Sequence, residues 1–166
     1  MKKRDFDIAF RGLALGQHKF QYGLDDTFFT LFEYSDYRGL RGTTELKMLK
    51  SETVLDLELH FTGSIEVPCD ITNEMYTQAL KNSFVMQIKF GDEYNDENEE
   101  LLILPHGNYQ FNAAQMLYEL VVLSIPSKLL GPNAGNGLED LIEEEEDETE
   151  EKTDPRWDQL KNLLNK

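Results

Sequence analysis

The chain has 166 residues, 40% of them apolar, enough for one domain with a hydrophobic core under a very polar surface. Its formal charge is −16, which excludes a basic nucleic-acid-binding protein of the usual kind, because such affinity comes from neutralising phosphates with Lys and Arg. A single cysteine, Cys69, excludes an internal disulfide and fits a reducing compartment.

The excess charge is local. Residues 139–151 hold ten acids and no base, residues 92–100 hold six acids and no base, and what is left is balanced. A neutral body with two acidic stretches suits basic partners such as ribosomal proteins. The same stretches also read as solvated loops that keep the protein soluble. No run of about 18 apolar residues suggests a membrane span. Met1-Lys2-Lys3-Arg4 is followed at once by Asp5 and Asp7 rather than by an apolar stretch, so no export signal is expected and the expected location is cytoplasmic.

The first hundred residues read mainly as strands. Phe6, Ile8 and Phe10 alternate with Asp7 and Ala9, and Phe20, Tyr22 and Leu24 alternate after a turn at 16–18. Period two means one buried face and one wet face. Residues 27–34 are apolar and aromatic but ambiguous in type, and residues 36–42 read as a turn-rich break. A two-residue turn at Ser51-Glu52 would set Met48 opposite Leu55 and Leu46 opposite Leu57. A three-residue loop at Thr62-Gly63-Ser64 would set Phe61 opposite Ile65, Leu59 opposite Val67 and Leu57 opposite Cys69, all on one face. Pro68 places that strand at an edge or at its end.

Tyr76, Leu80, Phe84, Met86, Ile88 and Phe90 all fall on even positions. That is long for one strand, so a bend or bulge near Asn82 is expected. Leu101–Leu104 is a short apolar strand stopped by Pro105. Asn112 followed by Gln115 resembles a capping box, and Met116, Leu117, Leu120 and Val121 form one helical stripe before Pro126. Residues 131–137 are a Gly/Pro/Asn break. A last helix is predicted from Asp154 as N-cap with Pro155 in the first helical position, and Trp157, Leu160 and Leu164 recur at helical spacing. The expected fold class is α+β: a mostly antiparallel twisted sheet or open barrel in the N-terminal two thirds with one packed helix. The expected organisation is a domain over 1–131, an acidic linker over 132–153 and an amphipathic helix over 154–166.

Few groups suggest chemistry. Cys69 is a candidate nucleophile with His60 nine residues away, but the register puts the two on opposite faces, where His60 cannot reach the thiol as a base. Cys69 reads more simply as a small core residue. His18, His60 and His106 show no paired ligand spacing, residues 92–100 lack the spacing and glycine of an EF-hand loop, and no phosphate-binding glycine fingerprint is present, so neither metal nor cofactor is expected. Glu119 lies inside an apolar helical sequence, either on the wet stripe or buried against a partner such as an arginine near the N-terminus. The terminal helix, with Asp154, Pro155, Arg156, Trp157, Leu160 and Leu164, is the best candidate interaction element. A helix of its length is marginal alone and must pack on a partner or on the protein's own core.

The order of features resembles the YceD family of bacterial and plastid proteins. Gly12-Leu13 leads to His18-Lys19-Phe20, then Phe61-Thr62-Gly63 and Val67-Pro68-Cys69-Asp70. An acidic loop follows Phe90-Gly91, then Tyr118-Glu119-Leu120-Val121-Val122-Leu123-Ser124-Ile125-Pro126, then Asp154-Pro155-Arg156-Trp157 and its leucines. The resemblance implies a non-enzymatic role in the synthesis, processing or accumulation of large-subunit ribosomal RNA, with a ribosomal protein or pre-ribosomal particle as partner. Many relatives carry Cys-x-x-Cys where this chain has Cys69 and Thr72, and no cysteine follows Pro126. If the relatives bind metal there, this chain cannot do so in the same way, and hydrogen bonds must shape the turn at 70–73. The rival readings are a general acidic chaperone for basic proteins and an RNA-processing hydrolase using Glu119.

Overall fold

A computed structural model describes residues 1–98 and 100–135. Eight strands and two α-helices occur within them: β1 (Asp7–Ile8), β2 (Gly16–Asp25), α1 (Asp26–Thr30), β3 (Arg38–Lys50), β4 (Val54–Pro68), β5 (Met75–Gly91), β6 (Asn95–Asn98), β7 (Leu101–Pro105), β8 (Phe111–Asn112) and α2 (Ala114–Val122). Six strands form an open sheet in the order β2-β3-β4-β5-β7-β6, and β1 pairs with β8 in a separate ribbon. The fold is α+β, as the period-two alternation followed by one helical stripe implies. The sheet is antiparallel except where β7 runs parallel to β5.

The alternation sorts the faces. Leu46, Met48, Leu55, Leu57, Leu59, Phe61, Leu80 and Ile88 point to one side and are buried, while Leu49 and Val85 on the other side are exposed. Phe6, Ile8 and Phe10 are buried in the same core, but only Asp7–Ile8 is strand, because a 3₁₀ turn over Lys3–Phe6 precedes it. The ambiguous segment after β2 is a short helix. Asp25 caps it by accepting from the Thr27 amide at 2.9 Å, and Phe28 and Phe29 are buried.

Four expectations are overturned. The β3–β4 turn is wider than Ser51-Glu52: Lys50 pairs with Leu55, so Met48 meets Leu57 and Leu46 meets Leu59. The slip is by two residues, which preserves the buried face. Thr62-Gly63-Ser64 is not a loop, since β4 runs unbroken to Pro68 and pairs on both sides. Gly63 is there because of close approach. A Cβ on it would meet the Arg41 carbonyl oxygen at 2.6 Å and the Phe61 ring at 2.7 Å, with Gly42 directly opposite. Residues 36–42 are not simply a break, because β3 begins at Arg38 and absorbs a bulge before Arg41, with Gly39 at φ +71°. No bulge interrupts β5 at Asn82 either. Its register with β4 is continuous from Lys89 to Met75, and the Asn82 amide donates instead to the Leu120 carbonyl of α2 at 3.2 Å. Continuous pairing with β4 removes the need for a break in a 17-residue strand.

Helix α2 lies on β4 and β5 with Leu117, Leu120 and Val121 buried. The Asn112 side chain accepts from the Ala114 amide at 3.0 Å, so it serves the helix start, while Gln115 turns to Glu119 rather than back to Asn112. Among the described residues no helix is long and apolar enough to cross a membrane.

Candidate partner interface

The acidic segment after Gly91 runs out to the free edge of the sheet. Every side chain of Asp92–Asn98 is exposed, and β6 holds the edge position with only Asn95 and Asn98 in register with β7. Asn95 and Asn98 side chains accept from the amides of Glu97 and Glu100 at 3.0 and 2.9 Å, a local folding habit of Asn in tight turns. Among the described residues the ion pairs lie elsewhere, on the wet face of the sheet: Lys19–Glu45, Lys47–Glu58 and His60–Glu58. Among the described residues, then, no Lys or Arg pairs with the acids of this edge.

Between this edge and α2 lies a groove of about 940 Å³. Phe84 and Met86 of β5, with Leu102 and Leu104 of β7, line it from the sheet, and Met116 and Leu123 line it from the helix. Asp96 and Glu119 also line it, and among the described residues no Lys or Arg does. Leu123 is 77% exposed. The groove runs alongside α2, from Gln115 to Leu123, because the helix packs on β4 and β5 and leaves the core face of β7 uncovered.

Glu119 is exposed and sits on the groove rim. Its carboxylate accepts from the Gln115 side-chain amide at 2.6 Å, one helical turn away. No arginine from the N-terminus reaches it in an ion pair. Of the two readings of this residue the geometry has the wet stripe.

Cys69 and Thr72 are together in the turn joining β4 to β5. Cys69 is 3% exposed. The backbone amide of Thr72, then its hydroxyl, then the amides of Gly131 and Ile71 face the sulfur and bring the thiol from its ordinary 9.0 down to about 7. The turn is closed by backbone bonds from the Asn73 amide to the Cys69 carbonyl and from the Cys69 amide to the Glu74 carbonyl, both 2.9 Å, with Asn73 at φ 55°. The segment after α2 is tied to this turn. The Asp70 amide donates to the Leu129 carbonyl, the Leu129 amide donates to the Asp70 carboxylate, each at 2.7 Å, and Asn133 donates to Glu74 at 3.0 Å.

His60 lies on the wet face and pairs with Glu58 at 2.8 Å, which holds the Glu58 carboxyl below its ordinary range. His18 meets the Ala14 carbonyl at 2.8 Å. Among the described residues no group of three or more His, Cys, Asp and Glu side chains is placed to hold a metal ion. Asp154, Pro155, Arg156, Trp157, Leu160 and Leu164 lie outside the described residues, as do the acidic run over 139–151 and most of the linker expected over 132–153.

Neither curated proteins nor solved structures provide a match to the chain. Residues 57–164 match the family described as "Large ribosomal RNA subunit accumulation protein YceD". The matched span takes in β5, the acidic edge, the groove and the Cys69–Thr72 turn, together with the terminal segment. The chain therefore belongs to the YceD family of large ribosomal RNA subunit accumulation proteins.

Proposed function

We propose that this protein supports the accumulation of large-subunit ribosomal RNA by binding a ribosomal protein or an assembly intermediate, and not by catalysis. The observation that carries the reading is the family match over residues 57–164. In the proposed mechanism the acidic stretches hold basic protein segments, and residues 154–164 supply an apolar contact through Trp157, Leu160 and Leu164. The exposed acidic edge at 92–98 supports a basic partner, because opposite charge raises the rate of encounter and rejects like-charged surfaces. The site of action is the compartment in which ribosomes are assembled.

The reading as a hydrolase draws little support from the geometry. Glu119 is exposed and bonded to Gln115, and Cys69 is buried in a turn while His60 lies on the wet face of the sheet. A nucleophile needs its base within hydrogen-bond reach.

The test is the ribosomal RNA profile of cells depleted of the protein and complemented with variants. The full chain and Glu119→Gln are expected to restore large-subunit RNA selectively, whereas a chain truncated after Gly137 is expected not to. Full rescue by the truncation would overturn the mechanism through the acidic and terminal segments. Failure of Glu119→Gln alone, with the folded protein present at normal level, would favour the hydrolase.

A further inference from the structure

We propose that the groove between α2 and the β6–β7 edge is the resting place of the protein's own terminal segment, Asp154–Leu164. This goes beyond the functional reading above: there Trp157 faces a partner, and here it has a seat when no partner is bound.

Chemical complementarity is the first argument. The sheet side of the groove has a floor of Phe84, Met86, Leu102 and Leu104 with polar margins that include Asn82 and Asn98, and its helix side includes Met116 and the 77% exposed Leu123. An apolar groove of about 940 Å³ asks for an apolar stripe. At helical spacing Trp157, Leu160 and Leu164 fall on one side of the segment, with Leu163 at its margin. Charge agrees with this. The groove is lined by Asp96 and Glu119 and, among the described residues, by no Lys or Arg, while Asp154–Leu164 sets Arg156 and Lys161 against Asp154 and Asp158, with Lys166 two residues beyond.

Reach is the second argument. The described chain ends at Gly135, next to the start of β5, where Gly131 approaches Tyr76 and Asn133 bonds Glu74. The groove begins along β5 at Asn82 to Met86, roughly 20–35 Å farther on at strand rise. Eighteen residues, 136–153, separate Gly135 from Asp154, and a random coil of that length spans about 25 Å. A tether matched to its span gives an effective concentration of the order of 1 mM, so a segment of only ~0.1 mM intrinsic affinity is about 90% seated within its own chain. A second copy or a free basic peptide has no such advantage at ordinary protein concentrations.

Trp157 is the only tryptophan, so the fluorescence of the full-length protein reports on this segment without labelling. At low micromolar concentration the emission is expected to lie to the blue of that of a peptide spanning 152–166, with several-fold weaker quenching by acrylamide. Leu123→Asp removes an exposed groove residue, and Leu160→Asp changes the segment while leaving the sheet intact. Each is expected to move emission and quenching to the peptide values, with the strand signal in circular dichroism unchanged. Wild-type emission equal to the peptide's, or blue emission that neither variant shifts, would overturn the proposal. Blue emission that appears only at concentrations where light scattering reports a dimer would overturn it too, by assigning the groove to a second copy. None of these readouts depends on ribosomal RNA, so failure here and failure of the functional reading are separable.

Discussion

Asp70 and Leu129 clasp each other across 59 residues of sequence: each backbone amide finds an acceptor on the other residue, at 2.7 Å in both directions. The clasp fastens the segment after α2 to the turn between the two longest strands. Asp70→Ala leaves the partly buried Leu129 amide without its acceptor, which costs about 1–3 kcal/mol. Urea unfolding should show that loss, and hydrogen exchange at Leu129 should accelerate. Asp70→Asn keeps an acceptor oxygen and is expected to lose less.

Gly63 is under a stronger constraint. A methyl group there would run into the Arg41 carbonyl and the Phe61 ring at the same time. Gly63→Ala is expected to destabilise by about 1–3 kcal/mol, the usual cost of overpacking a closed site. If Thr62-Gly63-Ser64 were a solvent-facing loop, the same change would be close to neutral. Thermal and urea unfolding of the variant decide between the two.

Thr44 has the opposite sign. It is fully buried on the core face of β3, and its hydroxyl finds no hydrogen-bond partner among the described residues. Burying an unpaired hydroxyl costs roughly 1–3 kcal/mol. Thr44→Val keeps the shape and removes the polar atom, so it is expected to raise stability by about 1 kcal/mol. A lowered urea midpoint at unchanged slope would contradict this.

Cys69 makes stability depend on pH. Its folded-state value of about 7 lies below the ordinary 9.0 because the Thr72 amide and hydroxyl and the Gly131 and Ile71 amides favour the thiolate. A group depressed on folding contributes stability that is fully present above its unfolded value and is lost as pH falls through its folded value. The stability difference between wild type and Cys69→Ala should therefore grow in favour of wild type from pH 7 to pH 9, and be flat below pH 6. Parallel curves across that range would show that the turn does not favour the thiolate.

The alternation of apolar residues determined the strands, the buried face and the packed helix by itself, because side-chain direction has period two in a strand and 3.6 in a helix whatever the surroundings. The family resemblance came separately, from the order of motifs along the chain, and the match over residues 57–164 shows the family. Alternation had its limits. It could not determine strand ends or partners. Leu46 meets Leu57 or Leu59 with the same face buried, so hydrophobic pattern alone does not choose between registers two apart, and the width of the turn after Lys50 chose. Gly63 reads as a turn residue locally, and only the ring of Phe61 and the facing Gly42 explain it as a point of close contact. The groove and the clasp at Asp70 were beyond the sequence for the same reason. Each is made by residues distant along the chain, which meet only once α2 and the segment after it pack against the sheet.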